Sequence, residues 1–207
     1  MINKSHWQYF LSLEKELINL SRYIQIDEKN YDTYSLELLK LYLSVSSEVD
    51  VVARLLCKKT DSEGYLRKTK NDKKNRNMDT YREIIFIKHP EVSKVMISVD
   101  LYQIHIVPWT EFGNGRSPEW WKHYNDVKHT RDAFFHEANL KNVIFSLSGL
   151  LVLLNYFCHP MNSETACITL DESTTPKLLM IEGKNAIGGV TWEGARLYLP
   201  GQAILDK

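Results

Sequence analysis

Val143 to Phe157 is the most apolar run in the chain, and its polar interruptions are Ser146, Ser148 and Asn155. It falls short of the ~20 residues that cross a bilayer. The run is therefore expected to be a core helix, from about Ala138 to Phe157 and ended by Pro160. A helix that is apolar on nearly all sides must be covered by other elements. At 207 residues the chain is long enough to build one good core around it.

The candidates for that cover are legible from spacing. Phe10, Leu13, Leu17, Leu20 and Ile24 step by three and four, which predicts an amphipathic helix from about Ser5 to Tyr23. A longer periodic stretch follows Asp32 or Thr33, either of which is a fitting N-cap, and runs to about Lys59. Asn77 to about Ile87 predicts a further helix, closed before Pro90. Ser117, Pro118 and Glu119 read as a helix start with a capping serine, followed by EWWKHYNDVKHT. On that helix Trp120, Tyr124 and Val127 share one face, and Trp121, Asn125, Lys128 and His129 share another.

Ile97, Val99 and Leu101 alternate with Ser98 and Asp100, and Ile104 and Ile106 continue the extended pattern to Pro108. After Met161, glycines punctuate short β-prone runs at 178–181, 190–192 and 197–199. The expected fold is mainly α: a bundle of four to five helices with a small antiparallel β appendage made by the central strand and the C-terminal segment. Residues 1–160 form the helical core, with a basic loop at 58–77 and a β insert at 95–108. Residues 161–207 form a β-rich appendage packed on it.

Acidic and basic residues balance to a formal charge of zero, so any contact with nucleic acid must be local. Eight basic residues between Lys58 and Arg76 face only Asp61, Glu63 and Asp72, which suits a solvated loop or a contact with a phosphate backbone. Cys57, Cys158 and Cys167 are an odd set with no C-x-x-C pair, and the N-terminus lacks the apolar stretch of a signal peptide. A cytoplasmic protein without membrane insertion is expected. Cys158, His159 and Cys167 match no standard zinc spacing, and the glycines of the C-terminal segment form no nucleotide-binding fingerprint. No metal or cofactor is expected.

The densest chemistry lies in YNDVKHTRDAFFHEANL, residues 124–140, at the junction between two helices. Histidine titrates near neutrality, and arginine is a permanent, forked cation for phosphate oxygens. Arg131 is followed by the acidic Asp132 and, after four intervening residues, by His136. Arg82 with His89 and Arg116 with His123 also place a histidine after an arginine, with six residues between, but without a helix junction between them.

An arginine, a polar follower and a histidine at this spacing, where one core helix gives way to the next, resemble the signature of the HEPN superfamily of helical ribonuclease-like domains. The resemblance covers about Tyr31 to Phe157. It implies metal-independent RNA cleavage in which Arg131 holds the scissile phosphate and His136 handles protons. It also implies a site formed between two protomers of a homodimer, and a role in bacterial defence or as a toxin. Asn125, Lys128, His129 and Asp132 would be secondary substrate contacts. Glu48 and Asp50, in the apolar helix, are further candidates because carboxylates are costly to bury unpaired.

Each of these residues has an alternative reading. Asp50 lies four residues before Arg54, the spacing of a structural ion pair. His129 and Arg131 lie near a helix C-terminus, where the helix dipole favours cations. The whole chain then reads as a helical protein-interaction module, with Trp120, Trp121 and the C-terminal β segment presenting the binding surface.

Overall fold

A computed structural model describes residues 4–70, 75–158 and 175–182. The molecule is mainly helical, with a small three-stranded antiparallel sheet. The helices are α1 (Lys4–Leu20), α2 (Leu36–Thr60), α3 (Ser62–Thr69), α4 (Met78–Lys88), α5 (Thr110–Gly113), α6 (Glu119–His129), α7 (Arg131–Phe134) and α8 (Leu140–Cys158). The strands are β1 (Ile97–Val99), β2 (Ile104–Ile106) and β3 (Met180–Ile181), in the order β2-β1-β3.

The core is built on α8, where 16 of the 19 residues are buried, and α2 forms its broadest packing partner. Phe10, Leu13 and Leu17 of α1 cover the pair from one side, and Trp109, Phe112 and Trp120 fill another. Gly149 is what lets the tryptophans approach. A Cβ there would lie 2.9 Å from Trp120 Cζ2, and Trp109 Nε1 donates to the Gly149 carbonyl at 3.1 Å. Helix α8 has the length and apolarity of a membrane span, but 83% of its most apolar window is buried inside the protein.

Several boundaries depart from the sequence reading for local reasons. Helix α2 starts later than Asp32 or Thr33: Ser35 is its cap, accepting from Leu38 N at 3.1 Å. Thr33 is occupied elsewhere, its carbonyl accepting from Leu140 N at 2.9 Å. Ser117 does not cap α6, because its hydroxyl donates to Asp79 Oδ1 at 3.1 Å, and Pro118 takes the cap position.

The basic loop expected over 58–77 is largely helical. Helix α2 continues to Thr60, and Asp61 caps α3 by accepting from Gly64 N at 2.8 Å. Tyr65 is buried while Leu66 is 54% exposed, so α3 turns little apolar surface inward, which is why its sequence resembles a loop. The extended pattern 97–106 splits into a hairpin at Gln103, whose φ is 53°, and Leu101 ends 81% exposed.

β3 joins the C-terminal segment to β1, with Ile97 opposite Ile181. Glu14, 1% exposed, anchors the same segment by accepting from the backbone N–H groups of Lys177, Leu178 and Leu179 at 2.8, 2.9 and 3.0 Å. The other two β-prone runs expected there, 190–192 and 197–199, lie outside the described residues, as do His159 and Cys167.

Candidate functional site

The passage from α6 to α8 is a compact excursion. Helix α6 ends at His129, α7 occupies Arg131–Phe134, a 3₁₀ turn follows at Phe135–Glu137, and Asn139 caps α8 by accepting from Asn142 N at 3.0 Å. The loop before α2 braces it, with Lys141 N donating to the Tyr31 carbonyl at 3.1 Å and the Tyr34 and Phe135 rings 5.3 Å apart. His129, Arg131, Asp132 and His136 are all exposed within this excursion. No ion pair engages Arg131 among the described residues.

His136 Nε2 lies 3.5 Å from Glu137 Oε1. The other oxygen of Glu137, Oε2, lies 3.1 Å from His123 Nδ1 on α6. Asn142 on α8 closes the group, donating Nδ2 to the Glu137 carbonyl at 2.8 Å and lying 3.3 Å from Oε2. One carboxylate is thus held between two imidazoles by three elements. His123, Glu137 and Asn142 did not stand out in the sequence as site residues. Their one signal was the Arg116 to His123 spacing, since 14 residues separate His123 from Glu137 and only the α6–α8 turn makes them neighbours.

A second feature lies along α6. Two cavities, of about 500 and 280 Å³, share the lining residues Asn77, Met78, Trp121 and Asn125 and lie side by side as a trough beside α2, α4 and α6. Asp50, Asn125 and Lys128, three of the candidate residues legible in the sequence, meet in the smaller cavity. Asn125 Nδ2 donates to the Trp121 carbonyl at 2.9 Å, and Lys128 Nζ lies 5.4 Å from the centre of the Tyr124 ring.

Asp50 accepts from the Tyr81 hydroxyl at 3.1 Å, and among the described residues no ion pair joins it to Arg54. Burial, reinforced by the Asp50 charge, pushes the Tyr81 hydroxyl well above its ordinary value, so it remains a donor. Glu48 belongs to neither feature. It is 8% exposed and lies 2.5 Å from His6 Nδ1 of α1, because residues two apart on a helix point about 200° from one another.

Trp120 and Trp121 are 3% and 7% exposed, so they do not form the aromatic docking surface considered from the sequence. Trp120 Nε1 donates to the Pro108 carbonyl at 2.9 Å, and its own carbonyl accepts from Tyr42. No group of three or more His, Cys, Asp or Glu side chains among the described residues is arranged to hold a metal ion.

No protein-family model, curated protein or solved structure significantly matches this chain.

Proposed function

We propose that this chain is a HEPN-like RNA-binding domain that cuts RNA without a metal, with Arg131 and His136 as its catalytic residues. The observation that carries the reading is the junction itself. A guanidinium with no ion-pair partner among the described residues and an imidazole beside a carboxylate both stand exposed within six residues, on a turn braced by α6, α8 and the loop before α2.

RNA brings its own nucleophile, the 2′-hydroxyl, so the protein must supply charge stabilisation and proton transfer. With Nε2 of His136 facing Glu137, Nδ1 is the nitrogen that takes the 2′-hydroxyl proton. The 2′-oxygen then bonds to phosphorus, the P–O5′ bond breaks, and the 5′-oxygen leaves with the proton that the His136 imidazolium hands back. Arg131 neutralises the phosphate oxygens as charge builds on them. HEPN sites form between protomers, so a second copy is expected to bring its own Arg131 and His136 to the same cleft.

The test is RNA cleavage with and without a chelator, comparing wild type with Arg131→Ala and His136→Ala at matched circular dichroism. Each variant is expected to lose on the order of 100-fold or more in rate, with no effect of chelator. Cleavage unchanged in both variants overturns the reading.

A further inference from the structure

We infer that the trough between α2, α4 and α6 is a track for single-stranded RNA, leading along α6 to the junction. The inference rests on the proposed RNA chemistry for its ligand class, but on different residues for its geometry.

Cations outnumber acids at the edge of the trough, where Asp79 is the one exposed carboxylate among the described lining residues. Arg116 and Lys122 edge the larger cavity, Arg76 and Lys128 the smaller, and all four are exposed. None of the four forms an ion pair among the described residues. The acids present are already engaged by neutral hydroxyls: Asp79 by Ser117 and Asp50 by Tyr81. Four cations against two carboxylates leave a net positive rim, which suits phosphates, since these bind Lys and Arg with release of counterions.

The floor has the opposite character. Asp50 and Asn125 are half-buried, and each retains an acceptor oxygen after its internal hydrogen bond is made. Acceptors below and cations above match a nucleotide laid with its base or ribose inward and its phosphate outward. A duplex hides its base edges and cannot use such a floor.

Two features favour a chain of phosphates over one compact ligand. The cations are divided between two adjoining cavities instead of converging on one point. Lys122 and Lys128 are also separated by about 9 Å along the axis of α6, at the helical rise of 1.5 Å per residue. Lys128 forms the end of the track nearest Arg131, three residues further along the chain. The strand would enter over Arg116 and leave toward the junction.

The experiment is binding of a fluorescein-labelled, 2′-O-methylated single-stranded octanucleotide, which the proposed chemistry cannot cleave, followed by anisotropy across a salt series. Arg76→Ala with Lys128→Ala, and separately Arg116→Ala with Lys122→Ala, are each expected to raise Kd at least 10-fold. Each pair should also reduce the slope of log Kd against log salt by about 1.4, at about 0.7 per lost phosphate contact. Because these side chains are exposed, their loss leaves the core intact.

Lys15→Ala, exposed on α1 and outside the trough, is expected to bind like wild type. Wild-type binding that neither pair weakens, no binding at low salt, or stronger binding to a duplex of the same sequence each overturns the track. Track-dependent binding without cleavage of unmodified RNA overturns the active-site reading and leaves the track standing. Cleavage that survives in both pairs with unchanged KM does the reverse.

Discussion

Glu137 Oε2 lies 3.1 Å from His123 Nδ1, so the residue following His136 is tied to a helix that ends before the junction begins. This contact gives the exposed imidazole of His136 a fixed carboxylate neighbour. A group poised for proton transfer needs such a support to keep one tautomer and one orientation.

Glu137→Gln is therefore expected to lower kcat for RNA cleavage by about 10-fold or more while leaving KM unchanged, since acid–base contributions commonly reach 100-fold or beyond. Glu137→Asp should recover part of the loss. Thermal unfolding run alongside separates positioning from bracing. If the rate loss is matched by a large drop in melting temperature, Glu137 is a structural strut and not a positioning residue.

Gly149→Ala tests the core. Alanine is the better helix former by about 1 kcal/mol. The new Cβ would sit 2.9 Å from Trp120 Cζ2, however, and Trp120 is fixed by its bond to the Pro108 carbonyl. Overpacking of this kind costs about 1–3 kcal/mol. A net destabilisation of up to about 2 kcal/mol is expected in urea unfolding, and a gain in stability would show that the tryptophan pair yields easily.

Glu14 predicts a pH dependence. Burial is the dominant influence and raises its carboxyl above the ordinary 4.5, while the amides of Lys177, Leu179 and Leu178 oppose the shift. The folded state thus binds this proton more tightly than the unfolded state does. The group's contribution to stability is full below pH 4.5 and declines as pH rises through the raised value. Unfolding midpoints of wild type and Glu14→Gln, measured from about pH 4 to 7, should differ in slope across that window. Parallel profiles would contradict the assignment. Glu14→Ala leaves three amides without their acceptor and is expected to cost about 3 kcal/mol.

How far the sequence could be read depends on the length scale of each feature. Helices α1, α2, α4, α6 and α8 follow from apolar spacing because each buries a continuous stripe. Helix α3 does not, since Tyr65 turns inward while its basic residues leave a loop-like composition. Arg131 and His136 are close in sequence and share one turn, so their neighbourhood was visible. Asn125 and Lys128 were visible as a helical stripe, but their meeting with Asp50 depends on how α2 packs beside α6. Glu48 and Asp50 do not form one polar site, because the first faces His6 of α1 and the second Tyr81 of α4. The closure of His123, Glu137 and Asn142 is wholly tertiary, and no spacing rule spans it.

The most direct measurement of the central claim is cleavage of an RNA carrying a single 2′-deoxy substitution at the mapped scissile nucleotide, with analysis of product ends. The account predicts that unmodified RNA yields a 2′,3′-cyclic phosphate and a 5′-hydroxyl, and that the substituted strand is not cut at that position. Equal cleavage of the substituted strand, or products ending in a 5′-phosphate, would contradict it.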